Sequence, residues 1–109
     1  MNFRVLYTDR FRRELKGLSR KHRSLKADLA KLIDHLEESP EQGTPLGNNC
    51  FKIRMAITSK GKGKSGGARV ITNVHVYGQT VYLLSIYDKS DRDSISDKEL
   101  KAILKQLKQ

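Results

Sequence analysis

Cations dominate the residues of this sequence that could do chemistry, and six of them crowd one stretch. Lys52 and Arg54 alternate along FKIRMAI, Lys60, Lys62 and Lys64 punctuate SKGKGKSGG, and Arg69 opens the next apolar run. Not one Asp or Glu lies between Glu41 and Asp88. Elsewhere the signs are mixed: residues 1–41 carry ten Lys/Arg against seven Asp/Glu, and residues 88–109 six against five. Uncompensated cations repel one another in a folded chain, so a run of them fits a polyanionic partner. The alternation in FKIRMAI puts Phe51, Ile53, Met55 and Ile57 on one face of a strand and Lys52, Arg54, Ala56 and Thr58 on the other. Lys52 and Arg54 then project together, about 7 Å apart. If Arg69 on the adjoining strand reaches that face, three cations surround one point, with the phenol of Tyr87 at the rim.

Such a group suits RNA cleavage without a metal. The 2′-hydroxyl attacks the adjacent phosphate, and negative charge builds on the phosphoryl oxygens. Arginines bind that charge through paired hydrogen bonds; removing one preorganised donor lowers the rate by roughly 10²–10³. A lysine crowded by other cations releases its proton more readily and can act as base. A tyrosine can orient the nucleophile or stack on a base. The same residues also suit RNA docking with no chemistry at all.

Other chemistries lack their residues. His22, His35 and His75 are far apart with no Cys or acid at ligand spacing, which speaks against a metal site and against a histidine-driven triad. His75 shares the parity of Arg69 in its strand, but a structural or solvated role is the simpler reading. GKGKSGG is not a nucleotide-binding P-loop: the glycine needed five residues before Gly63-Lys64-Ser65 is replaced by Thr58. The loop could still grip phosphate through its amides and lysines, or be a flexible, solubilising tip. Cys50 is the one cysteine, so no internal disulfide can form, and its place at a strand start fits a structural role.

Composition bounds the class. At 109 residues, read as one domain over 1–109, the chain can bury one modest core. Its formal net charge of +10 exceeds what an acidic small molecule calls for. No apolar run reaches the roughly 18 residues of a membrane span, and the N-terminus of this sequence lacks the apolar core expected of a secretion signal. The expected location is the cytoplasm, with no small-molecule cofactor.

The elements that must hold these cations follow from local pattern. FRVLYT predicts a first strand. Thr8 can cap a helix from Asp9 whose apolar face carries Phe11, Leu15 and Leu18. Ser24 can cap a second, with Leu25, Leu29, Leu32, Ile33 and Leu36 in line, stopped at Ser39-Pro40. So short a connection predicts an antiparallel helical hairpin. Residues 41–49 read as a turn-rich loop. Strands over residues 51–57, 68–77 and 80–87 follow, the last two joined by a two-residue type II′ turn at Gly78-Gln79. Ser96 and Glu99 form a capping box, with Ile95 and Leu100 as its staple and Leu100, Ile103, Leu104 and Leu107 as the stripe of a final helix. The order β-α-α-β-β-β-α predicts an α+β domain: a helical hairpin packed on a mainly antiparallel four-stranded sheet, with a C-terminal helix.

This order, with FKIRMAI, KGKGKSGGARVI and LLSIYDKSDRDSIS, resembles the RelE/ParE superfamily of bacterial toxins, and its RelE/HigB branch in particular. The resemblance covers most of the chain, with KGKSGGARVI its most specific part. It implies a toxin of a type II toxin–antitoxin pair, a metal-independent endoribonuclease that cleaves mRNA on the ribosome and is neutralised by a cognate antitoxin. Residue by residue it implies catalytic roles for Lys52, Arg54, Arg69 and Tyr87. Lys60, Lys62, Lys64 and Lys89 are matched to contacts with mRNA or ribosomal RNA. The sequence departs from the pattern in TVYLLSIY, which lacks the further arginine such enzymes often carry before the tyrosine; either Lys62 or Lys64 supplies that charge, or catalysis is weak. ParE-type members instead poison DNA gyrase, so gyrase inhibition and non-catalytic RNA binding stand as alternatives.

Overall fold

One sheet separates two hydrophobic clusters. The computed structural model describes residues 2–107. Its elements are β1 (Arg4–Tyr7), α1 (Asp9–Lys21), α2 (Leu25–Glu38), β2 (Thr44–Gly47), β3 (Cys50–Met55), a 3₁₀ turn (Thr58–Lys60), β4 (Ala68–His75), β5 (Thr80–Asp88) and α3 (Asp97–Leu107). The sheet order is β1-β5-β4-β3-β2; β1 runs parallel to β5 and every other pairing is antiparallel. The α+β class and the element order are those the pattern predicts, with one strand more.

The extra strand, β2, lies in the segment read as loop. Asn48 and Asn49 both take positive φ (55° and 60°) between the paired residues Gly47 and Cys50. That is the geometry of a two-residue type I′ hairpin, and asparagine tolerates it better than most side chains. Pro45 is acceptable in β2 because an edge strand has one side without a ladder to serve. The other hairpin also differs from expectation. His75 pairs with Thr80, so the loop holds four residues, and the positive φ (48°) belongs to Gln79 rather than Gly78.

Helix ends follow their local chemistry, with two reassignments. The Thr8 side chain accepts from the Phe11 amide and caps α1. Ser24 sits at the N-cap of α2, but its hydroxyl donates to Asp28 and accepts from the Ser59 amide instead of capping. Ser96 accepts from the Glu99 amide at α3. The reciprocal half of that capping box is missing, because the Glu99 carboxylate is held by Arg92 and Arg10.

The larger core lies between the α1–α2 hairpin and one sheet face, around Phe11, Leu25, Leu29, Leu36, Val70 and Leu83. The second joins α3 to the opposite face through Cys50, Ile71, Leu84, Tyr87, Ile95, Leu100 and Ile103. Because α3 covers only part of that second face, the β3 positions bearing Lys52 and Arg54 stay open beside it.

Candidate functional site

Strand register brings three of the four candidate catalytic residues into one row. Arg54 on β3 lies opposite Arg69 on β4, which lies opposite Tyr87 on β5. Neighbouring strands are spaced 4.7–4.9 Å, so the row crosses about 10 Å of sheet. Lys52 pairs with Ile71 and shares the face of Arg54 two residues along. Bulk repulsion between Arg54 and Arg69, directly opposed like charges, works against folding.

The four side chains meet different fates. Lys52 and Arg54 make no side-chain hydrogen bond or ion pair with any described residue, and Arg54 is exposed. Arg69 is only 3% exposed. Its Nη1 donates to the carbonyls of Lys64 (2.9 Å) and Ala68 (3.0 Å), and its Nη2 to that of Ser65 (3.2 Å). It therefore closes the lysine loop onto the strand. Tyr87 is 6% exposed, and its hydroxyl is buried with no hydrogen-bond partner among the described residues. Burial pushes the phenol pKa up, against the opposing pull of Arg92 and Arg69. The Arg92 guanidinium lies 5.0 Å from the ring centroid and is gripped by both oxygens of Glu99 (2.5 and 3.2 Å). Arg92 and Arg10 together hold the Glu99 carboxyl down to about 2.

The loop over residues 58–67 is pinned rather than a free tip. At its start, the Asp28 carboxylate accepts from the Thr58 amide (2.9 Å) and hydroxyl (2.6 Å). Burial opposes ionisation there, but the Thr58 and Ser24 hydrogen bonds hold the Asp28 pKa low. In its middle, Lys60 donates to Asp88 at 2.9 Å. At its end, Gly67 passes so close to β3 that a Cβ would sit 2.2 Å from the Met55 carbonyl oxygen. Of the loop lysines, Lys62 and Lys64 stay exposed and without a side-chain partner among the described residues.

Lys60 thus departs from the expectation of a free RNA contact. Asp88 is the reason: it is buried, and it also takes a hydrogen bond at 3.0 Å from His22 and two from Ser90. Burial works against its charge, yet the Lys60 and Ser90 hydrogen bonds drive its pKa far below the usual carboxylate range. Lys89, the fourth expected contact, is partly exposed beside this clasp. The sequence held one signal for Asp88: it is the first acid to follow the long acid-free stretch. Arg92 gave no signal, since it sits in an ordinary mixed-charge segment, and Glu99 was legible only as half of a capping box.

Cys50 is buried and accepts from the Asn73 amide group, and burial raises its thiol pKa. His75 packs edge-on to Tyr82. No group of three His, Cys, Asp or Glu among the described residues is arranged to hold a metal ion. No helix among them is long and apolar enough to cross a membrane.

Residues 3–109 match the model of a family described as the RelE toxin of the RelE/RelB toxin–antitoxin system. No curated protein matches the chain significantly. Among solved structures, a doubly substituted E. coli RelE toxin in the free state aligns with a TM-score of 0.66 at 19% identity, covering 98% of this chain and 99% of that one. The RelBE2 toxin–antitoxin complex of Mycobacterium tuberculosis aligns at 0.62 and 23% identity, covering 81% and 99%. The intact E. coli RelBE complex aligns at 0.62 and 21%, covering 81% and 96%. At these identities the likeness is one of fold.

Proposed function

Because this chain belongs to the RelE toxin family, we propose that it is a metal-independent endoribonuclease that cuts mRNA on the ribosome and is held inactive by a cognate antitoxin. One observation carries the chemistry: Lys52 and Arg54 stand side by side on an open sheet face with no side-chain partner among the described residues, Arg54 in register with Arg69 and Tyr87. Cations left unpaired by the chain's own acids are available to an anionic substrate.

In the proposed reaction the 2′-oxygen forms a bond to the adjacent phosphorus while the bond to the 5′-oxygen breaks. A cyclic phosphate and a 5′-hydroxyl result; one proton leaves the nucleophile and one reaches the leaving oxygen. Arg54 and Lys52 bind the phosphoryl oxygens as their charge grows. Arg69 adds positive potential from behind and keeps the lysine loop at the rim. Tyr87 contributes its ring or hydroxyl once the Arg92–Glu99 cover moves, and Arg92, 5.0 Å from that ring, brings a cation beside a strand that has none of its own. Lys62, Lys64 and Lys89 meet flanking RNA. The antitoxin partner is inferred from the family description and from relatives solved as toxin–antitoxin complexes.

The test is to induce the chain in cells and map mRNA 5′ ends. New ends within translated codons, absent with Arg54→Ala, are expected. Growth arrest with intact message and DNA-damage signalling would replace this reading with gyrase inhibition.

A further inference from the structure

A groove of about 560 Å³ runs along the edge of β3 and meets the row of residues just described at Arg54. One wall is the stripe Asp28, Lys31, Leu32 and His35 on α2; the other is the β3 segment from Lys52 to Ala56, with Lys64 at the end. It exists because β2 stops early. The last β2–β3 pair is Thr44 with Lys52, so Ile53 to Met55 lack a strand on that side. Gly43 turns the chain away at φ 91°, passing so near the Lys52 carbonyl that a Cβ would come within 2.3 Å of it.

The groove is strongly cationic. Lys31, Lys52, Arg54 and Lys64 line it, with His35 among them, and none of these side chains makes a hydrogen bond or ion pair to a described residue. Its one acid, Asp28, has both oxygens hydrogen-bonded by Thr58 and Ser24 and meets Lys31 through its field alone, with no direct ion pair. Its apolar lining offers a protein partner no anchor: Leu32, Ile53 and Met55 are 8%, 5% and 5% exposed, whereas protein interfaces centre on apolar or aromatic side chains that reach across. A phosphate chain needs a groove of spaced, unpaired cations, and one is here.

We propose that this groove is a second RNA-binding site, which takes the single strand from the reacting phosphate over the β3 edge onto Lys31 and His35 of α2. The site rests on the RNA-directed reading above and shares Arg54 and Lys52 with it. Lys31 and His35 are positioning residues: they hold flanking phosphates and touch no reacting atom.

The experiment measures binding of a short 2′-O-methyl single-stranded RNA, which has no nucleophile, across a salt series. Lys31→Gln is expected to flatten the log–log salt slope by about 0.7, one single-strand phosphate contact, and Lys31→Gln/His35→Gln to weaken binding further. Lys101→Gln, the same charge change at an exposed site on α3, is expected to leave the slope unchanged. Equal effects of Lys31→Gln and Lys101→Gln overturn the groove, as net charge alone would explain them. If Arg54→Ala flattens the slope and Lys31→Gln does not, the groove falls while the sheet-face reading stands. If the reverse holds, the proposed path from Arg54 to Lys31 is wrong and the sheet-face reading falls with it. If Lys31→Gln weakens only antitoxin binding, the groove is a protein dock and the proposal is wrong; a wild-type chain that binds no RNA sinks both.

Discussion

Removing the Arg69 side chain should open the lysine loop and slow cleavage, and the two effects can be measured apart. The guanidinium satisfies three carbonyls at 2.9, 3.0 and 3.2 Å. Hydrogen bonds from a charged donor contribute about 1.5–3 kcal/mol each. Lys64 and Ser65 are exposed, so water can replace two of the three, and the loss falls mainly on the buried Ala68 carbonyl. Relief of repulsion with Arg54 returns about 0.2–1 kcal/mol. Arg69→Ala should therefore destabilise by about 2 kcal/mol, read as a lower urea midpoint with unchanged slope. Arg69→Lys should recover little of this, since one ammonium cannot span carbonyls at residues 64 and 68. Amide exchange should quicken between residues 60 and 67. Cleavage on translating ribosomes, assayed where the variant is folded, should fall by roughly 10²–10³ if the charge also acts on the phosphate. Stability within about 0.5 kcal/mol of wild type, with loop amides still protected, would refute the clamp. Lost stability with full cleavage would refute the chemical role.

Arg54→Ala should reverse the usual pattern, abolishing most cleavage while raising stability by about 0.2–1 kcal/mol, because it removes a like charge opposite Arg69; parallel urea melts and 5′-end maps check this. Asp88→Asn should cost about 3 kcal/mol by leaving Lys60 nearly buried without its counter-charge, seen as a lower urea midpoint. Glu99 has its folded pKa lowered from 4.5 to about 2, so its contribution is complete above 4.5 and vanishes as pH falls towards 2. Glu99→Gln should flatten that part of the stability–pH curve and increase the solvent access of Tyr87, measured by fluorescence quenching. Gly67→Ala should destabilise by about 3 kcal/mol, since its new methyl meets backbone that cannot rotate away; a thermal melt decides it.

Local sequence determined the parts that local physics controls. Period-two and helical spacings set the three helices and four of the five strands, Thr8 and Ser96 marked two helix starts, and parity alone placed Lys52 with Arg54 on one face. Only tertiary structure decided what each cation is for. Lys60 is neutralised by an aspartate 28 positions away, Arg69 is turned inward onto carbonyls, and Arg92 is laid over Tyr87 from a loop with no distinctive composition. The reason is physical: an alternating pattern reports which way a side chain points, whereas its charge is spent on whichever acceptor the packed chain brings within hydrogen-bond reach, and that choice is made between residues distant in sequence.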